Sequence, residues 1–540
     1  MARRFPLGFV VVAQRGAIPY HAIDMARRKP KNNNGDAADA LLPAEPTART
    51  SATYLAALAA TAVICFFPLF KYFFAQDDFT LILTAYRDGW GAVADYFAQK
   101  PGMFRPLTKA AYFGSMYRAF GLDPAPYHAV SMAVHLLNTV LIYLLSMRVR
   151  VSRTAALVSA TLFALSIAFF HIVGWISCIQ QLLGLCFMLI SLVWGIDYVR
   201  RGSRRARWIS LGSYVLALMS VEQTFAAPIV LVLFAWLSPG SPQDRPGWKA
   251  AAGRYAPHLA ILALYVVFIG VWKTTPDQGS YTFSFGRNVT INLLSYLGWT
   301  LEFGAALPSR MATGSIPWSL SHVFVFLIVV YHLARRRWRE VVFGLSFFVL
   351  AALPTLFLSD HTFYLHTYIP AFGLLYLIAL FVDDILELPL MRTDRARLAL
   401  LGVVLVTMTA VSFVMVRKNE RYRMFDLIDM PRSFVLRRAL IAGAMYESLS
   451  REKPFEENIE KVYLVYGREG GRDEAKWNNK NVKAATGWGS MINLMYDRPD
   501  LSVEFKVAGD AIGWEEQYLS DIYFYDDYGN SSPMPLRSPE

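Results

Sequence analysis

TYLAALAATAVICFFPLFKYFFAQDD occupies residues 53–78 and contains the feature that decides the fold. Before the two aspartates, Lys71 is the only charged residue, and the apolar run is long enough to cross a hydrocarbon core of about 30 Å. Such a core holds no water to satisfy backbone groups, so the run must be helical. Asp77 and Asp78 follow directly, which places two carboxylates at the end of a membrane-spanning helix.

The rest of the chain repeats this apolar pattern. Its 540 residues are 55% hydrophobic and 17% charged, against roughly 25% charged in ordinary soluble proteins. The mean hydropathy is +0.33. The pattern predicts an all-α polytopic membrane protein with about eleven transmembrane helices. They are expected at residues 53–74, 126–148, 154–172, 179–199, 208–221, 223–238, 256–273, 319–334, 340–358, 363–382 and 397–416.

Basic residues concentrate in alternate connections between these segments. An excess of Lys and Arg in short loops marks the cytoplasmic face. The N-terminus is therefore predicted inside and, with an odd number of spans, the C-terminus outside a bacterial inner or plasma membrane. This distribution argues against a nucleic-acid partner. The segments 208–221 and 223–238, with Glu222 between them, could also form one span, which would reverse everything that follows. The basic clusters are Arg148/Arg150/Arg153, Arg200/Arg201/Arg204/Arg205/Arg207, Arg245/Lys249/Arg254, Arg335/Arg336/Arg337/Arg339 and Arg392/Arg395/Arg397.

Three regions are predicted along the chain. Residues 1–50 form a disordered, basic cytoplasmic leader, in which a second MARR at Met25 leaves the translation start open. Residues 51–416 form the membrane domain, with long outside loops at 75–125 and 274–318. Residues 417–540 form a small extracytoplasmic α+β domain, because KVYLVYG, LSVEFKVAG and DIYFYDD are typical of strands. The three cysteines lie in or beside apolar segments and are expected to be small buried residues.

Several polar residues of the outside loops could carry chemistry. Asp77 and Asp78 could be a solvated helix end, or they could supply a general base or the ligands of a divalent cation. Arg105, held next to Pro106, suits the binding of a phosphate group. The next span carries His128 and His135 on one helical face, which favours a polar cavity.

Four blocks resemble the GT-C class of membrane glycosyltransferases, and most closely its protein O-mannosyltransferase-like (family 39-like) branch. The first block combines the aspartate pair, FRPLT at 104–108 and GLDPAPYHAVSMAVHLLNTVLIYLL at 121–145. The others are FHIVGWISCIQQLLGLCFMLISL at 170–192, LALMSVEQTFAAPIVLVLF at 216–234 and YLHTYIPAFGLLYL at 364–377. Together they cover roughly residues 52–385, and all four fall outside under the charge-derived topology.

The resemblance implies roles for individual residues. Asp78, with Asp77 as its neighbour, would be the best candidate for the catalytic base, and Arg105 would anchor an interfacial helix or a donor phosphate. The remaining implied residues would line the cavity or approach it from the late outside loop, and a packing role is the alternative for each. They are His128, His135, His171, Glu222, His361, Tyr364 and His366.

The chain departs from the family pattern in three blocks. Ile179, Gln180 and Gln181 stand where a basic and an acidic residue are usual, and Ser131 and Leu365 replace a common Asn and Arg. These departures put the donor-phosphate contacts and the identity of the donor in question.

The expected function is transfer of a sugar from a polyprenyl-phosphate-linked donor to an extracytoplasmic protein, glycan or lipid acceptor. No nucleotide cofactor is expected, because the sequence has no Walker or Rossmann-type glycine loop. A transporter or flippase for a lipid-linked glycan, and a catalytically silent scaffold, are the alternatives. The sugar, the acceptor, the need for a metal and the stereochemical outcome stay open, with inversion favoured.

Overall fold

The computed structural model describes residues 46–533 with internal gaps. The predicted leader therefore lies outside the described residues except for 46–50, and the predicted outside loop 274–318 is described only over 282–301. The gaps are 90, 92, 95–102, 238–245, 273–281, 302–319, 360, 421, 425–427, 431–432, 452–458, 467–479, 508–519 and 526–530.

Helices dominate the described residues, as the sequence predicted. Five helical segments are long and apolar enough to cross a membrane: Ala48–Lys71, Pro124–Arg148, Ile176–Arg201, Trp338–Leu356 and Asp394–Lys418. Up to seven qualify if each of two bent helix pairs forms one span. The multi-pass helical prediction is thus confirmed, while the number eleven stays a prediction. The other helices are Asp77–Asp88, Phe113–Phe120, Arg153–Ala164, Ile167–Gly174, Arg204–Leu218, Ala227–Leu237, Trp248–Arg254, Ala256–Trp272, Arg287–Thr300, Leu320–Ala334, Ala371–Leu386, Phe434–Leu449 and Ser490–Met495.

Short polar signals start and stop these helices. Pro124–Arg148 begins after Asp123, whose Oδ1 accepts a hydrogen bond from the Ala125 amide at 3.0 Å, and proline occupies its first position. At its other end Arg148 donates to Asp197 from Nε at 2.8 Å and from Nη2 at 3.0 Å. This two-point ion pair links the helix to the end of Ile179–Arg201.

Two predicted segments contain breaks that the apolar pattern did not reveal. Residues 154–172 form two helices that meet at an angle of 54°. Residues 363–382 start with a 3-10 turn, Tyr364–Thr367, and become α-helical only at Ala371, after Pro370. Proline cannot donate the hydrogen bond that would continue a helix from that turn. The predicted break at Glu222 is also present, as a 3-10 turn, Glu222–Ala226.

The region after residue 420 combines helix and sheet. β1 (Tyr422–Met424) pairs with β2 (Ile428–Met430) in an antiparallel ribbon. A four-stranded sheet has the order β4-β3-β5-β6, built from Ser502–Val507, Lys461–Tyr466, Ser520–Tyr525 and Ser531–Pro533. The three runs predicted as strands are β3, β4 and β5. The sequence did not indicate that β3 pairs in parallel with both β4 and β5.

Two glycines let the helices Trp338–Leu356 and Ala371–Leu386 approach closely. A Cβ added at Gly344 would lie 2.8 Å from the carbonyl oxygen of Gly373, and one added at Gly373 would lie 2.9 Å from the Phe348 amide nitrogen. Backbone atoms cannot move aside as a flexible side chain can. Small residues at such a crossing allow two membrane helices to pack at short distance.

We predict that Gly373→Ala destabilises the protein by about 1–3 kcal/mol, because the added methyl group overpacks this crossing. Thermal unfolding of the purified protein in detergent measures the effect. Gly402→Ala is the matched control, since a Cβ at that position meets nothing within 4 Å. An equal melting temperature for both variants would contradict the close packing.

Candidate active site

The acidic pair begins the helix that follows the first membrane helix after a short connection. The chain leaves Ala48–Phe66 through a 3-10 turn, Phe67–Lys71, and Asp77 begins the helix Asp77–Asp88. Gln76, just before it, has φ 55° and ψ −119°, a backbone conformation that residues other than glycine rarely adopt. The carboxylates sit in the first helical turn, where the helix dipole favours negative charge.

Asp78 is buried and fully engaged. Its Oδ2 accepts a hydrogen bond from the Ala75 amide at 2.9 Å. Its Oδ1 accepts one from the Ser177 amide at 2.7 Å and another from the Ser177 hydroxyl. Burial raises its pKa to about 7, although these hydrogen bonds act in the opposite direction. Asp78 therefore holds the acidic loop against the Trp-Ile-Ser turn.

Asp77 is exposed, in contrast to its neighbour. Surrounding protein still removes water from its carboxyl group and raises its pKa. Lys109, Arg438 and Arg105, in that order, act in the opposite direction by favouring the ionised form. Of the two aspartates, Asp77 is the one that a bound substrate can reach.

Arg105 makes hydrogen bonds to side chains of two other sequence segments. Its Nε lies 2.9 Å and its Nη2 2.6 Å from Oε2 of Glu222, and its Nη1 donates to Gln180 Oε1 at 2.5 Å. Both charged side chains are largely buried, 13% exposed for Arg105 and 22% for Glu222. This fork-shaped contact fixes the guanidinium plane and gives a role to Gln180, a position where the sequence departs from the family pattern.

Lys109 is a site residue that the sequence argument missed. It lies half-buried on a π-helical turn, Pro106–Tyr112, and burial together with Arg105 lowers its pKa to about 8. Glu222 and Asp77 act in the opposite direction. Its ammonium group makes no hydrogen bond or ion pair with the described residues. The spacing of four from Arg105 was the available signal, since residues at that spacing share a helical face.

The first two predicted histidines lie in the packed interior. Nε2 of His128 is 2.9 Å from the carbonyl oxygen of Tyr72. His135 bridges the hydroxyl of Tyr368 at 2.9 Å and the carbonyl oxygen of Ala164 at 3.1 Å. Each is at most 1% exposed. Both rings are thus buried among helices, and their role in lining a cavity stays a prediction.

The remaining predicted histidines and Tyr364 form two ring pairs. The rings of His171 and Tyr364 have centroids 5.5 Å apart, and those of His361 and His366 are 5.6 Å apart. Burial, assisted by the positive charge of Arg105, lowers the pKa of His361 to about 4. His361 is therefore neutral at physiological pH.

The C-terminal region packs directly on the acidic loop. The Gln76 amide donates to the Ala485 carbonyl at 3.1 Å, and Arg438 Nη1 donates to Gln76 Oε1 at 2.7 Å. Gly487, at φ +61°, comes so close that a Cβ there would lie 2.7 Å from the Gln76 carbonyl oxygen. Arg438 is the second site residue that the sequence argument missed.

The described residues contain no group of three or more His, Cys, Asp or Glu side chains placed to hold a metal ion. The three cysteines are buried, as predicted, and are free thiols. Binding of a divalent cation by the acidic pair stays a prediction.

No protein-family model and no curated protein matches the sequence. Solved structures do match. For the arabinofuranosyltransferase AftD from Mycobacteria the identity is 16% and the TM-score 0.44, over 79% of this chain and 30% of that one. For the apo oligosaccharyltransferase of Archaeoglobus fulgidus the values are 11% and 0.45, over 82% and 64%.

The same archaeal protein, AglB, in complex with an inhibitory peptide and a dolichol-phosphate, matches at 11% identity and a TM-score of 0.43, over 81% and 63% of the two chains. This chain thus spans less than two thirds of each of these structures. All three similarities have identities below 25% and TM-scores below 0.5. None of them carries a residue role, substrate or partner over to this chain.

We predict that the two aspartates differ in their effect on stability. Asp78→Asn replaces an acceptor oxygen with an NH₂ group facing a backbone N–H, and we expect a loss of roughly 1–3 kcal/mol. Asp77→Asn removes no hydrogen bond of this kind and should leave the melting temperature unchanged. Thermal unfolding in detergent tests both. Equal destabilisation by the two variants would contradict the assignment of Asp78 as the buried anchor.

Proposed function

We propose that the protein is a GT-C glycosyltransferase of the protein O-mannosyltransferase-like branch. It transfers a sugar from a polyprenyl-phosphate-linked donor to an extracytoplasmic protein, glycan or lipid acceptor. The observation that carries this proposal is the exposed Asp77 carboxylate, which lies among the cationic groups of Lys109, Arg105 and Arg438 at the end of a membrane helix. Glycosyl transfer from a phosphate requires a base that activates the acceptor hydroxyl and positively charged side chains that stabilise the leaving phosphate.

A polyprenyl donor must keep its tail in lipid while its phosphate and sugar reach the interface. Lys109 and Arg105 lie on or next to a π-helical turn that leads into the amphipathic helix Phe113–Phe120. Lys109 has no anionic partner within hydrogen-bonding distance among the described residues, and its ammonium group can bind a phosphate. Arg105, fixed by Glu222, supplies a second positive charge nearby without being free to turn.

The reaction follows from these positions. Asp77 accepts the proton of the acceptor hydroxyl as the acceptor oxygen forms a bond to the anomeric carbon. The bond between that carbon and the phosphate oxygen breaks, and the phosphate leaves with the electron pair. The charge that develops on the phosphate is stabilised by Lys109 and Arg105.

We propose that the transfer inverts the anomeric configuration. Retention by double displacement needs a second carboxylate as nucleophile. Asp78 is closed off by Ser177 and Ala75, and Glu222 is engaged with Arg105. Asp77 is left as the reacting carboxylate, which suits a single displacement.

We also propose the predicted orientation, with the N-terminus in the cytoplasm and the C-terminus outside a bacterial inner or plasma membrane. The arginine-rich connections then face the cytoplasm, and the acidic loop and the region 417–540 face outward. The contact between Gln76 and Arg438 supports a shared side for these two regions. In this arrangement residues 51–416 form the membrane domain and 417–540 the extracytoplasmic domain.

Lipid and glycan profiling of a deletion strain tests the function. The strain is complemented with wild type, Asp77→Asn or Asp88→Asn, the last being a carboxylate of the same helix that is paired with Arg87 at the surface. We expect wild type and Asp88→Asn to restore one missing glycan. Asp77→Asn should leave the glycan absent and its polyprenyl-linked donor accumulated, because the acceptor is no longer deprotonated.

Full complementation by Asp77→Asn would remove Asp77 from the chemistry and favour a catalytically silent scaffold. Accumulation of a finished lipid-linked glycan on the cytoplasmic side would instead favour a transporter. In either case the transferase proposal fails.

A further inference from the structure

Arg438 reaches the acidic loop from the tail helix, Phe434–Leu449, and is held firmly there. Its Nη1 donates to Gln76 Oε1 at 2.7 Å and its Nη2 to Asn481 Oδ1 at 3.3 Å. The centre of its guanidinium group lies 5.3 Å from the centroid of the Phe434 ring. Three contacts fix the side chain while its charge stays uncompensated by any carboxylate within ion-pair distance among the described residues.

One N–H donor of Arg438 and one of Gln76 lack a hydrogen-bond acceptor among the described residues. Nε of Arg438 and Nε2 of Gln76 are buried and have no hydrogen-bond partner among the described residues. Gln76 is 6% exposed. A buried N–H without an acceptor destabilises the folded protein, and more so when the group is charged. The two donors therefore need oxygen atoms, and the charge of Arg438 favours an anionic oxygen over water.

This pair is separate from the cations of the first loop. Asp77 interacts electrostatically with Lys109, Arg105 and Arg438. Lys109 in turn interacts with Arg105, Glu222 and Asp77, whereas Arg438 interacts with Arg437 and Asp77. Asp77 is the group that the two sets share. Asp77 is thus influenced both by cationic groups of the first loop and by a cationic group of the tail.

We infer that Arg438 and Gln76 form a second anion-binding subsite, which takes a phosphate or carboxylate group of the acceptor. The inference rests on the proposed function. In a single displacement the leaving phosphate and the base lie on opposite sides of the anomeric carbon, and the acceptor lies on the side of the base. With the donor phosphate at Lys109, an anion at Arg438 belongs to the acceptor. The substrate class is an acceptor with a hydroxyl close to an anionic group.

The docking of the tail sets the geometry of this subsite. Gln76 adopts its uncommon backbone conformation while its amide donates to Ala485 and its carbonyl faces Gly487. Strained conformations of this kind persist where the surrounding structure holds them in place. The C-terminal region therefore positions both Gln76 and Arg438.

Phosphate binding to the full chain in lipid nanodiscs tests the subsite. Inorganic phosphate is titrated by ³¹P NMR after the protein has been saturated with undecaprenyl phosphate, a polyprenyl monophosphate that occupies the donor site. We expect wild type to retain one phosphate site. Arg438→Gln should weaken phosphate binding at this site at least tenfold, because the positive charge is lost and Gln has two N–H donors where Arg has five. Lys109→Gln should leave it unchanged.

Arg451→Gln is the charge-matched control, since Arg451 lies just beyond the same helix in an exposed pair with Glu447. Complete loss of phosphate binding in the presence of undecaprenyl phosphate would mean that Arg438 serves the donor, and would overturn the inference. An equal effect of Arg438→Gln and Arg451→Gln would overturn it as well.

The result is separable from the fate of the proposed function, because binding needs no turnover. A protein that does not bind undecaprenyl phosphate contradicts the proposed function. Inorganic phosphate then still reports two sites, one removed by Lys109→Gln and the other by Arg438→Gln. A single site removed by both variants would overturn the second subsite.

Discussion

The carboxylate of Asp78 holds together segments that are distant in sequence. It accepts hydrogen bonds from Ala75 in its own loop and from Ser177, which lies 99 residues further along the chain. A buried carboxyl group requires such partners, because an unsatisfied charge in this environment costs several kcal/mol. Once Asp78 is fixed, the direction of the helix Asp77–Asp88 is fixed as well. The adjacent Asp77 is then exposed where a substrate can reach it.

The same logic applies to Arg105. It contacts both Glu222 and Gln180, and so joins its own segment to two others that are distant in sequence. The anchors Asp78 and Arg105 are thus both engaged by protein, and the reactive groups stand beside them. Asp77 and Lys109 are the charged neighbours whose side chains remain available. We therefore assign the reaction to Asp77 and Lys109, and the positioning of these groups to Asp78 and Arg105.

Much of this was accessible from sequence, because charged residues are expensive in a chain so apolar. Asp77, Asp78 and Arg105 stood out for that reason, and the resemblance implied Glu222; the structure pairs Arg105 with Glu222. Which aspartate is buried was not accessible, since both lie in the first turn of the same helix and only the contact with Ser177 distinguishes them.

Contributions from distant segments were also hidden. Arg438 lies in PRSFVLRRAL beside Arg437, and nothing in that local pattern shows which arginine faces the acidic loop. The docking of the tail decides it. The histidines of the second span were predicted from a shared helical face, but a shared face does not distinguish a cavity from a packed interface. His128 and His135 face the packed interface.

The pH dependence of transfer tests the central claim, that Asp77 is the base and that cationic groups of the first loop and of the tail favour its ionised form. Initial rates are measured at saturating donor and acceptor, as identified by profiling, for wild type and Arg438→Gln. A base acts only when ionised, so the rate should rise with pH through the pKa of Asp77. Arg438 favours the ionised form, and removing it should raise this pKa and move the acidic limb to higher pH. An acidic limb at the same pH in both proteins would contradict the account.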